Sequence, residues 1–203
     1  MTPNAAAETL VLASTSAARK AVLAGAGVRF EAARSGVDED ATKARLLAEG
    51  ASPKRVAEVL AEQKAVAVST GRAQLVIGAD QTLELDGRLY DKVETLDAAR
   101  ARLRELRGRP HLLHSAVVVA LDGAPVWAET VSATLTMRDF SDGFLEDYLA
   151  AEGEAALGSV GCYRLESMGV QLFSEIAGDY FAILGLPMMG LLDLLRRRGV
   201  LAP

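Results

Sequence analysis

A chain of 203 residues and 21.4 kDa is long enough for one domain, or one domain with a small lobe, around a real core. Half of it is hydrophobic and 24% is charged, which excludes disordered, collagen-like and coiled-coil classes, and with only 5% aromatic residues Ala, Val and Leu must fill the core. The 22 Lys and Arg against 27 Asp and Glu leave a net charge of −5, the wrong sign for a protein that lives on a nucleic-acid polymer, though not for one with a small basic pocket.

In chain order, residues 1–8 carry no basic segment and end on Glu8, unlike a signal peptide. Residues 9–13 (TLVLA) read as a buried strand, and Ser14-Thr15-Ser16 as the entry to a helix over 17–26, stopped by Gly25 and Gly27. Hydroxyls and free N–H groups at a helix start, with Arg19 and Lys20 one turn in, form either an ordinary Ser cap or a phosphate site. No P-loop pattern accompanies them. A strand over 28–34 follows, then Asp38-Glu39-Asp40, which is either a solvated turn or a set of hard oxygen ligands for Mg²⁺. A short helix is expected over 42–48. Ser52-Pro53 then open a helix to about residue 70, on which Lys64 neighbours Val56, Val59 and Leu60.

Residues 75–79 read as a second buried strand that ends at Asp80. A carboxylate in that place stands at the carboxyl edge of a sheet, where open α/β folds put ligands. It is either a turn residue or a group that binds a cation or takes a proton from water. A hairpin over 82–85 and 88–90 turns at Asp86-Gly87, so Lys92 can return to the same pocket. A helix over 95–106 leads to the clearest hairpin, 111–121 and 124–137 across Asp122-Gly123. His111 and His114 are three apart on a strand and face opposite sides, which with a single Cys excludes a zinc site. A helix over 141–151, a strand over 170–176 and a helix over 186–198 close the chain, the last ending on Arg196-Arg197-Arg198 to complement its dipole. Cys162 has no partner for a disulfide, which suits a reducing compartment, and no apolar run approaches the ~20 residues of a membrane helix. The expectations are a cytoplasmic location, no membrane, and an α/β fold whose mixed sheet is flanked by helices. A Ser hydrolase lacks its G-x-S-x-G elbow.

Taken in order, the segments resemble the Maf family of nucleoside triphosphate pyrophosphatases from Leu10 to about Gly199. Leu12-Ala13-Ser14-Thr15-Ser16 with Arg19 is similar to the family's L-A-S-x-S and its arginine, and Ser35-Gly36-Val37-Asp38-Glu39 to S-x-V-D-E. Ala61-Glu62-Gln63-Lys64-Ala65 resembles A-x-x-K-A, Ile77-Gly78-Ala79-Asp80 resembles I-G-A-D, and Lys92 falls at the lysine of G-K-P. Gly108-Arg109-Pro110-His111, Gly178-Asp179-Tyr180-Phe181 and Gly185-Leu186-Pro187 are similar to G-R-x-H, G-D-Y-F and G-L-P.

The resemblance implies a central cleft in which a nucleotide is cut between its α- and β-phosphates with the help of a divalent cation, Mg²⁺ or Mn²⁺. It implies that Asp80 is the catalytic base or a metal-side carboxylate, that Glu39 helps to hold the metal, and that Ser14, Arg19, Lys64 and Lys92 grip the phosphates. A homodimer is implied as well. The chain departs from the family at Ala17-Ala18, where two positions of Pro-Arg-Arg are replaced, at Gln81, at Val93 and at Ser159. Leu165-Glu166-Ser167 replaces I-Q-G, so a carboxylate at Glu166 stands for an amide in a region that the resemblance brings to the substrate, where it changes base choice, recruits a second metal ion or weakens triphosphate binding. The alternative to an enzyme is a non-catalytic nucleotide-binding regulator of cell division, with the altered positions in its favour and the retained Glu39, Lys64, Asp80 and Lys92 against it.

Overall fold

The computed structural model describes residues 10–203, so Thr9 of the first expected strand and the reading of residues 1–8 lie outside the described residues. β1 (Leu10–Leu12) is wholly apolar and takes an inner place in the sheet, with β2 (Phe30–Ala32) and β3 (Val76–Leu85) parallel on either side. From β3 onward the pairing is antiparallel. β4 (Arg88–Tyr90) folds back on the end of β3, and β5 (Pro110–Leu121), β6 (Ala124–Met137) and β7 (Phe173–Ala177) complete a seven-stranded sheet of order β2-β1-β3-β5-β6-β7. The sheet is mixed, as the alternation of βα units and hairpins implied, and helices flank it.

Strand periodicity assigns the two faces of the sheet. On one lies α3 (Pro53–Ser69), whose Ala57, Ala61 and Ala65 recur one turn apart and pack on Ala116, Val118 and Ala120 of β5. Such small side chains let the helix approach β3 closely. A Cβ at Gly78 would stand 2.3 Å from the Ala61 carbonyl oxygen and 2.5 Å from the Ala65 nitrogen, a space that only glycine leaves open. The other face carries two cores. Leu10, Leu12 and Ile77 pack with Leu23 of α1 (Ala17–Gly25) and Leu191 and Leu195 of α7 (Met188–Arg197). Leu83, Leu113 and Leu135 pack with Leu103 of α4 (Leu96–Leu106) and Tyr148 of α5 (Asp142–Glu152).

Three expectations shift. The strand expected to end at Asp80 runs through it to Leu85, because β5 keeps pairing there, with Asp80 opposite Ala116. β1, however, stops at Leu12 beside Ile77, so Asp80 still lies beyond the carboxyl end of its parallel neighbour. α2 (Glu39–Ala48) begins three residues before the expected 42, because the Asp38 carboxylate accepts the Ala41 N–H at 2.9 Å and caps it. The last strand starts at Phe173 instead of residue 170, since Met168–Leu172 winds into a 3₁₀ turn. The remaining chain includes a second 3₁₀ segment, Gly153–Gly158, and the single turn α6 (Tyr180–Ile183).

Candidate functional site

A cleft of about 1290 Å³ opens past the end of β1, and Ser14, Arg19, Glu39, Lys64, Asp80, Lys92 and Glu166 all line it. The residues singled out from separate parts of the sequence are therefore brought to one cavity.

The centre of the cleft is an ion-pair cluster. Lys64 projects from α3 on the face that Gly78 brings against β3, and its side chain is only 6% exposed. Its Nζ lies 2.6 Å from Asp80 Oδ1 and 2.9 Å from Glu39 Oε2. Glu39 reaches it from the first turn of α2, whose start is fixed by Asp38. Asp40 turns to Lys43 at 3.0 Å, and Lys43 spans to Asp91 at 2.8 Å, so α2 is tied to the segment that carries Lys92. Of the acidic triplet, one carboxylate thus caps, one enters the cleft and one pairs at the surface.

On the β1–α1 side, Ser16 caps α1 by accepting the Arg19 N–H at 3.4 Å. The Arg19 side chain folds back, donating from Nη1 to Ser14 Oγ at 3.3 Å and from Nε to the Gly185 carbonyl at 2.9 Å. Burial holds its guanidinium below the ordinary value, against the pull of Asp80 and Glu39. Lys92 is also held low, by desolvation first and by Arg19 next, while Asp80 and Glu39 work the other way. Gln81 points to the opposite face of β3 from Asp80, where its amide donates to the Ala182 and Ile183 carbonyls at 3.1 and 3.0 Å and anchors α6.

Residues 153–166 form another wall with little regular structure. Side chains of the scaffold hold it. Tyr148 Oη donates to the Cys162 carbonyl at 3.1 Å, Arg102 Nη1 to the Val160 carbonyl at 2.8 Å, and Tyr163 Oη lies 2.8 Å from His111 Nε2. Glu166 sits on this wall, paired with Arg164 at 3.2 Å. Arg164 escapes a sequence reading, because no pattern marks which residues of an irregular segment face inward. Cys162 is buried, and burial pushes its thiol up to about 11, which makes it inert. His111 and His114 do face opposite sides, the first against Tyr163 and the second between Ser132 and Glu84.

Among the described residues, no group of three His, Cys, Asp or Glu could hold a metal ion by itself. Glu39 and Asp80 nonetheless converge on one point, now occupied by the Lys64 ammonium. Two hard carboxylates with room for phosphate oxygens and water match how Mg²⁺ is bound together with a substrate. No helix among the described residues is long and apolar enough to cross a membrane.

A family model described as Maf-like protein matches residues 9–198. A relative from Caulobacter vibrioides, named nucleoside triphosphate pyrophosphatase, is 62% identical over 192 residues, which cover 95% of this chain and 96% of that one. One from Paramagnetospirillum magneticum with the same name is 50% identical over 194 residues, 95% of this chain and 100% of its own. One from Brucella abortus, named 7-methyl-GTP pyrophosphatase, is 47% identical over 189 residues, 93% of this chain and 95% of its own.

Proposed function

The chain belongs to the Maf family, and from that premise we propose that it hydrolyses a nucleoside triphosphate to the monophosphate and pyrophosphate. The observation that carries the reading is the meeting of Lys64, Asp80 and Glu39, with Arg19 and Lys92 beside them, in one cleft. Water attacks the α-phosphorus and gives its proton to Asp80, while the bond from that phosphorus to the bridging oxygen breaks and pyrophosphate leaves. The leaving group gains charge as the bond breaks. Arg19, Lys64 and Lys92 hold cationic groups where those oxygens would lie, which is the dominant way to lower such a barrier. Ser14 orients Arg19 and offers its own hydroxyl. A divalent cation held by Glu39 and Asp80 would supply further neutralisation of phosphate charge when bound. A nucleotide would draw the Lys64 ammonium toward its phosphates and free both carboxylates.

Glu166 bears on the base. A carboxylate suits a ring that carries positive charge and N–H donors, as 7-methylguanine does, and one relative bears the name of that activity. We read the substrate as a modified nucleotide of this kind, acted on by a cytoplasmic homodimer. Without a basic stripe in the sequence, binding to nucleic-acid polymers is not part of the reading.

Product analysis with GTP and 7-methyl-GTP tests it. Equal yields of monophosphate and pyrophosphate are expected, lost in excess chelator. Asp80→Asn should lower turnover by at least about a hundredfold while the protein stays folded. Release of single phosphate, or full activity in that variant, would overturn the reading. A non-catalytic regulator would bind the nucleotide and release nothing.

A further inference from the structure

Glu152 is the last residue of α5, lies behind the wall that carries Glu166, and has a side chain only 3% exposed. A buried carboxylate needs a reason, because a well-packed apolar residue holds a loop as well or better. Its two oxygens are both engaged. Oε1 accepts the backbone N–H of Met168 at 3.2 Å, and Oε2 accepts from Arg164 Nη1 at 3.1 Å. The Arg164 guanidinium, itself on the cleft wall, then donates from Nε to Glu166 Oε1 at 3.2 Å. The backbone of Arg164 is fixed from behind as well, since a Cβ at Gly169 would stand 2.3 Å from its carbonyl oxygen. A rigid helix end, a planar fork and a cleft carboxylate therefore form one chain of contacts: Glu152, Arg164, Glu166.

We propose that Glu152 and Arg164 brace Glu166 against the cleft wall and thereby set the discrimination between a positively charged base and a neutral one. Glu152 is a positioning residue, buried behind the wall and acting only through Arg164. A carboxylate supplies what an apolar residue cannot, namely the direction of the guanidinium plane. Left unbraced, Arg164 would still reach Glu166, but at no fixed place, and an acceptor that wanders distinguishes bases poorly. The proposal rests on the reading that Glu166 meets the base.

Steady-state kinetics of the intact protein with 7-methyl-GTP and GTP reads the ratio of their kcat/KM values. Glu166→Gln should lower that ratio about tenfold, the scale of one charge-assisted contact. Glu152→Gln keeps the shape but can accept from only one of its two donors. It should lower the ratio about threefold, through KM for 7-methyl-GTP, with kcat for GTP within about twofold of the original. In the Glu166→Gln background the same change should move the ratio no further, because the group being positioned is gone. Arg164→Lys retains the charge and loses the fork, so it should shift the ratio in the same direction, and it carries the test if Glu152→Gln folds poorly. A purely structural Glu152 would impair both nucleotides alike or act additively in the double variant, and either result overturns the brace. If Glu166→Gln itself leaves the ratio unmoved, the reading of the base falls and takes the brace with it.

Discussion

Two walls of the same cleft are built on different physical terms. Around Lys64, the groups stand at the ends or on the flanks of regular elements: Glu39 in the first turn of α2, Lys64 on α3, Asp80 on β3. Their positions follow from backbone hydrogen bonding, and their charges answer one another directly. Residues 153–172 form strands nowhere and helix only as short 3₁₀ turns. There, position comes from side chains that reach into backbone groups: Tyr148, Arg102, Ser159 and Glu152 each hold a main-chain atom of that segment. On the function proposed above, the first arrangement suits a task common to all nucleoside triphosphates, the handling of phosphate. The second changes without disturbing the sheet, which suits the choice of base.

If that contrast holds, damage near Lys64 should be large and general. Lys64→Met leaves Asp80 and Glu39 facing each other without their shared cation. Breaking a buried ion pair in this way costs about 3–5 kcal/mol, and turnover should fall for every nucleotide. Added Mn²⁺ should raise the melting temperature of the variant more than that of the parent, since the carboxylates lose their internal counter-ion. Equal response to Mn²⁺ in both proteins would remove Glu39 and Asp80 from the role of cation ligands. Gly78→Ala attacks the same region through packing alone. Its Cβ would collide with backbone atoms of α3, which cannot rotate aside, so a destabilisation of about 3 kcal/mol is expected by urea unfolding. Lys64 would also be pushed away from Asp80, and a variant with unchanged kinetics would show that their 2.6 Å contact is not needed for turnover.

The other wall should respond to acid. His111 lies against Tyr163 and Phe173, and burial pushes its pKa from 6.5 down to about 4, with the Arg109 backbone opposing. The unfolded chain takes up this proton near 6.5 and the folded chain does not, so the unfolded state binds more protons between those values. Stability present above pH 6.5 is therefore lost as pH falls toward 4. The loss by pH 4.5 should be roughly 2–3 kcal/mol, and His111→Gln should abolish that slope while Lys64→Met leaves it in place. The same slope in His111→Gln and the parent would assign acid sensitivity to other groups.

Legibility follows the same division. The β-rich segments 111–121 and 124–137 on either side of Asp122-Gly123 and the Ser52-Pro53 start of α3 are local signals, and the structure keeps those elements to within a residue or two at each end. The residues of the cluster were nameable because motif order supplied them, but their meeting was not. It depends on Gly78, whose importance appears only once α3 is seen lying on it. Asp80 was expected at a strand end because its own side of the sequence turns polar, while the pairing that prolongs the strand comes from β5, more than thirty residues later. For the wall at 153–172 nothing local is periodic. Cys162 even adopts a left-handed backbone with φ of 59°, which no residue type there announces. Hence Glu166 was visible as a departure from a motif, whereas Glu152 and Arg164 behind it were not.

The smallest effect sharpens the contrast most. Ser159 Oγ accepts the Tyr163 N–H at 3.0 Å and donates to the Tyr163 carbonyl at 2.7 Å, closing the loop on which the cleft wall turns. Ser159→Ala removes both bonds. Tyr163 is buried, so its main-chain groups are not fully compensated by water, and about 1 kcal/mol of stability should be lost, a drop of about 2–4 °C in Tm for a chain of this size. Because the segment holds the wall and not the ion-pair cluster at Lys64, KM should rise a few-fold while kcat stays near its original value. The opposite split, a fall in kcat at constant KM, would mean that this wall tightens only in the transition state. In that case base and phosphate recognition are not separable in the way the two constructions suggest.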